Sequence, residues 1–122
     1  MTGNGDIASA EITRDEVEGV PVMRVSGELD LANVDEIGRR LLEPLAVESA
    51  SIVVDLGKVR FMDSSGLRML LEVNAQVGDG DGSLHLVPGK GSFVSHLLDV
   101  TQVGSVLAIH ASVEDAVESA RS

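Results

Sequence analysis

Apolar and polar positions change their period several times along the chain, and each change marks an element. From Ala8 to Arg14 the two alternate roughly, and Val20 to Val25 is a short β-rich run, so the pattern predicts an opening antiparallel hairpin with its turn at Asp15–Gly19. Pro21 suits a strand start or an edge. Ser26 to Asp30 reads as a turn ending in a helix-capping neighbourhood. Leu31, Val34, Ile37, Leu41 and Leu45 then recur at spacings of three and four, the signature of a helix with one buried face, which Pro44 kinks or ends. Ser51 to Leu56 is a nearly continuous apolar run, as in a strand covered on both faces. Gly57 to Arg60 is expected to turn the chain.

A second helix is predicted from Leu67, Leu70, Leu71, Asn74 and Val77, stopping in the Gly-Asp loop at 78–82. Ser83 to Val87 reads as a strand broken by Pro88-Gly89. Phe93, Val94, Leu97 and Leu98 mark a third helix, Val106 to Ile109 a last strand, and Val113, Ala116, Val117 and Ala120 a terminal helix. The order β-β-α-β-α-β-α-β-α implies an α/β fold: a mixed, mostly parallel sheet of about five strands with about four helices. Residues 1–7 read as a flexible tail and 8–122 as one domain.

Composition narrows the function. The chain has 122 residues and a formal charge of −11, with 20 acidic residues against 9 Lys plus Arg. Phosphate backbones and anionic membranes reward clustered cations, so neither nucleic acid nor a membrane surface is an expected partner. Cys is absent, which removes thiolate nucleophiles and sulfur-built zinc sites. No apolar run approaches the ~18 residues of a membrane span, and Met1 to Asp6 lacks the features of a signal peptide, so a cytoplasmic location is expected. With no Trp or Tyr and only Phe61 and Phe93, stacking platforms for bases are essentially missing.

Asp63-Ser64-Ser65-Gly66 is the segment richest in chemistry. Its plain reading is a helix N-terminus, where Asp or Ser accepts hydrogen bonds from free backbone N–H groups. A hydroxyl exposed there would also suit a phosphoryl group, since N–H donors and the helix dipole favour negative charge. An acyl-transfer nucleophile fits poorly. Met62 stands where a nucleophile elbow needs its first glycine, and His85, His96 and His110 fall in separate elements, read as surface or core-edge residues. A phosphoacceptor receiver centred on Asp55 or Asp63 lacks the acidic pair and the late Lys. Asp79 to Gly82 lacks the Glu of a calcium loop. No metal site and no catalytic residue are expected.

Two motifs together go further. Gly27-Glu28-Leu29-Asp30, followed by Val53-Val54-Asp55-Leu56 and Val59-x-Phe61-Met62-Asp63-Ser64-Ser65-Gly66-Leu67, closely resembles the STAS domain of small stand-alone bacterial anti-anti-sigma factors (anti-sigma factor antagonists). The resemblance covers nearly the whole chain and includes Leu97 to Val100. It implies a partner switch. The unmodified protein binds an anti-sigma factor that is also a serine kinase, which frees a sigma factor. The kinase, with its own ATP and Mg²⁺, then phosphorylates the protein and releases it, and a phosphatase resets the serine. The resemblance places the phosphoryl group on Ser64, makes Asp30 a partner contact, and puts Asp63, Ser65, Gly66 and Leu67 in contact or positioning roles. The chain itself would be no enzyme and need no cofactor. The alternative within the fold is a scaffold that is never phosphorylated, such as a transporter-associated subunit. The negative charge implies a partner face rich in Arg or Lys and association that slows with salt.

Overall fold

A computed structural model describes residues 6–7, 9–46 and 51–122. Its elements are β1 (Asp6–Ile7), β2 (Ala10–Val17), β3 (Val20–Leu29), α1 (Val34–Leu42), β4 (Ile52–Met62), α2 (Ser64–Asp79), β5 (Leu84–Val87), α3 (Phe93–Thr101), β6 (Ala108–Ile109) and α4 (Val113–Arg121). Six strands form one sheet in sequence order, and its first two pairings are antiparallel and its last three parallel. The α/β architecture and the four helices are as predicted. The additional strand is β1, which pairs Asp6 with Glu11 and Ile7 with Ala10, so these two residues leave the predicted tail. The rest of that tail, residues 1–5, lies outside the described residues.

The hairpin turn is shorter than expected. Asp15 to Val17 belong to β2, Val17 pairs with Val20, and only Glu18 and Gly19 turn, both at positive φ (51° and 84°). Two positive φ values are what a tight two-residue hairpin requires to match the twist of its strands. Pro21 is accommodated because β4 begins to pair with β3 only at Val22.

Two other predicted turns are strand. β3 runs through Ser26–Leu29 and β4 through Gly57–Met62, paired in parallel as Ser26↔Lys58, Gly27↔Val59, Glu28↔Phe61 and Leu29↔Met62. From Arg24 to Ser26, and again from Gly27 to Glu28, β4 advances one residue more than β3, so the ladder bulges twice. Glycine and charge signal a turn by composition, but here they mark bulges at strand ends whose outward side chains, such as Lys58 and Arg60, are exposed. Gly27 is at φ +96°, and a Cβ there would lie 2.3 Å from the Ser9 carbonyl oxygen. The chain can pass at that point only without a side chain.

One face of the sheet carries the main core. Ile37 and Leu41 of α1, Leu70 and Val73 of α2, and Val94 and Leu98 of α3 close over Ile12, Val25, Leu29, Val54 and Leu86. On the other face α4 covers a smaller cluster of Val20, Val22, Val53, Val87, Ala116 and Val117. The two faces explain the unbroken burial of Ile52, Val53 and Val54.

Helix phases correct three details. Leu31, expected on the buried face of the first helix, is 79% exposed, because α1 starts only at Val34, after a hydrogen-bonded turn. The buried stripe of α2 is Gly66, Met69, Leu70, Val73 and Val77, so Leu71 faces out. Val106 is exposed outside the last strand, which shrinks to Ala108–Ile109 behind a 3₁₀ turn at Val103–Ser105. Pro44 does end α1, within a 3₁₀ turn at Glu43–Ala46. Among the described residues no helix is long and apolar enough to cross a membrane.

Candidate functional site

The two motifs meet at the C-terminal ends of β3 and β4. Because Leu29 and Met62 are paired neighbours, the chain leaves the sheet twice at one place, once into the turn before α1 and once into α2. The Asp63 N–H donates to the Leu29 carbonyl at 3.1 Å and fastens the second exit to the first.

Asp30 heads the first exit. Its carboxylate oxygen Oδ1 accepts the Ala32 N–H at 3.0 Å, and its own N–H donates to Asn33 Oδ1 at 3.1 Å. Asn33 Nδ2 donates to the Glu28 carbonyl at 2.9 Å, so one side chain, only 1% exposed, staples both ends of the Glu28-Leu29-Asp30 segment. Asn33 was not singled out from the sequence. The available signal was an Asn three residues beyond an Asp at a strand end, a spacing that suits side-chain-to-backbone bonding.

Asp63 heads the second exit as the N-cap of α2. Its Oδ1 accepts the Ser65 N–H at 2.9 Å, the Gly66 N–H at 3.3 Å and the Ser65 hydroxyl. The Ser65 hydroxyl is the main cause that holds this carboxyl below the usual Asp range. Partial burial pushes the other way, and the backbone donors of Ser65 and Gly66 pull it further down.

The two serines are thereby separated. The Ser65 hydroxyl is half-buried and committed to the cap. Ser64 occupies the first position of α2, is exposed, and its hydroxyl has no hydrogen-bond partner among the described residues. No histidine bonds to it, so the parts of an acyl-transfer site are not assembled. His85 and His110, which share no sequence spacing, instead bond each other at 2.9 Å beside Ser83 on β5's flank.

Gly66 is buried where α2 crosses the strand ends, and a Cβ there would lie 2.3 Å from Met62 Cγ and 3.5 Å from Leu29 Cβ. Leu67 is half-buried and packs on the main core, so it anchors α2 more than it presents a surface. Around the site stand apolar side chains that sequence reading placed elsewhere or left unused. Leu31 projects from the turn beside Asp30, and Phe61 stacks on Phe93 with ring centroids 5.5 Å apart, both rings more than 40% exposed. The chain's two phenylalanines thus meet at one surface spot, a pairing that no local spacing announces. Among the described residues no group of three or more acidic or His side chains is placed to hold a metal ion.

An exposed hydroxyl thus stands at a capped helix start, next to the exit turn that carries Asp30 and the bare Leu31 side chain. The STAS domain family model matches residues 11–116, and the chain belongs to that family. It is 25% identical over 114 residues to the anti-sigma-F factor antagonist RsfB of Mycobacterium tuberculosis, covering 93% of this chain and 91% of RsfB. Its fold matches an anti-sigma factor antagonist structure from Mycobacterium paratuberculosis with TM-score 0.81 over all of both chains at 20% identity. It also matches the anti-sigma factor antagonist SpoIIAA in its unphosphorylated form (TM-score 0.68, 21% identity, 90% of this chain and 96% of that one). The Bacillus SpoIIAA structure in the phosphorylated form matches with TM-score 0.60 at 19% identity, over 88% and 96% of the two chains.

Proposed function

We propose that this protein is an anti-sigma factor antagonist switched by phosphorylation of Ser64. In the unmodified state it binds an anti-sigma factor that is a serine kinase, and a sigma factor is freed. The Ser64 hydroxyl oxygen then attacks the γ-phosphorus of ATP held with Mg²⁺ by that kinase. The Oγ–P bond forms, the bond to the β,γ-bridging oxygen breaks, ADP leaves, and the hydroxyl proton passes to a kinase base. A phosphatase reverses the state: water attacks phosphorus, the Oγ–P bond breaks, inorganic phosphate leaves and the Ser64 oxygen regains its proton.

The observation that carries this reading is the contrast between the serines: Ser64 is exposed and unpartnered, whereas Ser65 is tied to Asp63. The name of RsfB and the two phosphorylation states of SpoIIAA support it. On this reading Asp30 and Leu31 flank the docking surface, and Asp63, Ser65, Gly66 and Leu67 set the position of Ser64. A phosphoryl group adds a charge of about −1.5 to −2 next to Asp63, where it brings like-charge repulsion and a desolvation cost into the contact. A loss of about 3–4 kcal/mol at that point weakens binding several-hundred-fold.

The test has two arms. Phosphosite mapping on protein from its native host, across growth and stress, is expected to find phosphate on Ser64 with an occupancy that changes with condition. Pull-down from that host with Ser64→Ala is expected to retain a kinase-type anti-sigma factor that Ser64→Glu loses. Equal retention by the two variants, with no phosphate under any condition, would overturn the switch.

A further inference from the structure

Arg68 lies four residues after Ser64 on α2, a helix that runs unbroken from Ser64 to Asp79. Residues at that spacing are neighbours on one helix face, with Cβ atoms about 6 Å apart. Arg68 is exposed and, among the described residues, makes no ion pair or hydrogen bond. Arg24, Arg39, Arg40, Arg60 and Arg121 each have an acidic partner, whereas Arg68, like Arg14, Lys58 and Lys90, forms no ion pair among the described residues. The charged groups facing it are Asp35 and Arg39 across the α1–α2 groove and Glu72 one turn further along α2, and none of these forms an ion pair with it. No other basic residue stands in the first two turns of α2.

We propose that Arg68 is the built-in counter-ion of phosphoserine 64. This rests on the reading of Ser64 as the phosphoacceptor and adds what happens to the group once it is attached. A planar guanidinium offers two parallel N–H donors to phosphate oxygens, and a side chain of this length spans one helical turn. In the unmodified protein the cation forms no ion pair among the described residues and lines the α1–α2 groove together with Asp35 and Glu72. After modification it swings to the phosphoryl oxygens, offsets the repulsion from Asp63 and holds the group along the helix. The modified state is then stable in itself, and a phosphatase must displace Arg68 before it reaches phosphorus. Arg68 is a positioning residue whose effect is the lifetime of the released state.

The experiment uses the full chain with phosphoserine encoded at position 64, in the wild-type background and with Arg68→Gln or Arg68→Lys. Phosphorus NMR follows the second ionisation of the phosphate, ordinarily near pH ~6. A nearby cation favours the dianion, so the wild-type midpoint is expected about 0.15–0.4 pH units below that of Arg68→Gln, the shift that helix ion-pair strengths correspond to. Arg68→Lys is expected to fall between them, and added salt to shrink the difference. Coincident wild-type and Arg68→Gln midpoints would overturn the proposal. Because the phosphoserine is encoded, this result does not depend on whether a kinase modifies Ser64. Absence of phosphate on Ser64 in the native host would instead count against the phosphoacceptor reading and leave the pairing measurement standing.

Discussion

The Asp63 amide donates to the Leu29 carbonyl at 3.1 Å, and this bond fixes the start of α2 to the end of β3. It has consequences on both sides. Asp30 and Ser64, far apart in sequence, become parts of one surface whose spacing is set by backbone. The fit also leaves no room between α2 and the strand ends, where Gly66 lies against Met62 and Leu29.

Adding a methyl group there tests that closeness. Gly66→Ala places a Cβ 2.3 Å from Met62 Cγ, in the middle of a side chain that is itself buried. Overpacking of this kind costs about 1–3 kcal/mol. We expect a lower denaturation midpoint in urea and weaker partner binding, since α2 and Ser64 must shift together. A second pair of variants separates crowding from backbone preference. Gly19→Ala meets only its φ of +84° in open space and should cost about 1–2 kcal/mol. Gly27→Ala has a similar φ of +96° and in addition runs into the Ser9 carbonyl, so it should cost distinctly more. Equal midpoints for the two would show that the backbone at Ser9 yields freely.

Removing the Ser65 hydroxyl tests the division of labour between the serines. Ser65→Ala deletes the largest influence that lowers the Asp63 pKa but leaves the two backbone donors in place. A carboxyl held below its ordinary value of 3.8 stabilises the fold above that pH, and the stability is lost as pH falls through the native value. Acid unfolding of Ser65→Ala should therefore begin at higher pH than in the wild type, while on the proposed function Ser64 should still be phosphorylated. Two-dimensional NMR of the Asp63 carboxyl against pH checks the first expectation. Loss of modification at Ser64 in the variant would contradict the second.

Much of this architecture was legible in the sequence, and the failures have a common cause. Runs such as Ile52–Val54 and the three-four spacing of Val34, Ile37 and Leu41 report burial directly, so the elements they define came out where expected. Ser26–Leu29 and Gly57–Arg60 did not, because two bulges break the alternation of buried and exposed positions there and glycine with charged residues dominates the rest. The segment 63–67 was readable as a cap, since Asp63 uses the local donors that cap chemistry predicts. The Phe61–Phe93 pair was not, because it joins distant pieces of chain, while Asn33 and Leu31 were missed because a hydrogen-bonded turn, not a helix, fills the stretch before Val34.

Leu31 distinguishes a surface role from a packing one. At 79% exposure it contributes almost nothing to the core, so Leu31→Ala should change stability by no more than about 0.5 kcal/mol. Leu41 is fully buried on the same stretch of chain, and Leu41→Ala should cost about 2–5 kcal/mol. If Leu31 is a docking anchor, its truncation lowers affinity for the anti-sigma partner while the thermal midpoint stays put. Calorimetric binding measured beside thermal unfolding checks both halves. A large loss of stability in Leu31→Ala would mean that the side chain packs in solution.

The histidine pair gives the fold its own pH dependence. His85 is 4% exposed on β5, where its Nδ1 faces His110 Nε2 at 2.9 Å and its Nε2 faces the Ser83 hydroxyl at 2.7 Å, with Ser51 a further 2.9 Å away. Burial, assisted by the charge His110 would carry, pushes the His85 pKa below its ordinary 6.5. The unfolded chain therefore binds more protons than the folded one as pH falls, and stability must fall with it. It is fully present above pH 6.5 and declines from there towards the lower native value. We expect the urea midpoint of the wild type to drop on going from mildly alkaline to mildly acidic buffer. His85→Leu removes the titrating group from this buried position and should flatten that slope. His110→Ala leaves His85 Nδ1 without its partner and should lower stability even where both rings are neutral. An unchanged slope in His85→Leu would mean that the acid sensitivity resides elsewhere, with the carboxylates and not with β5.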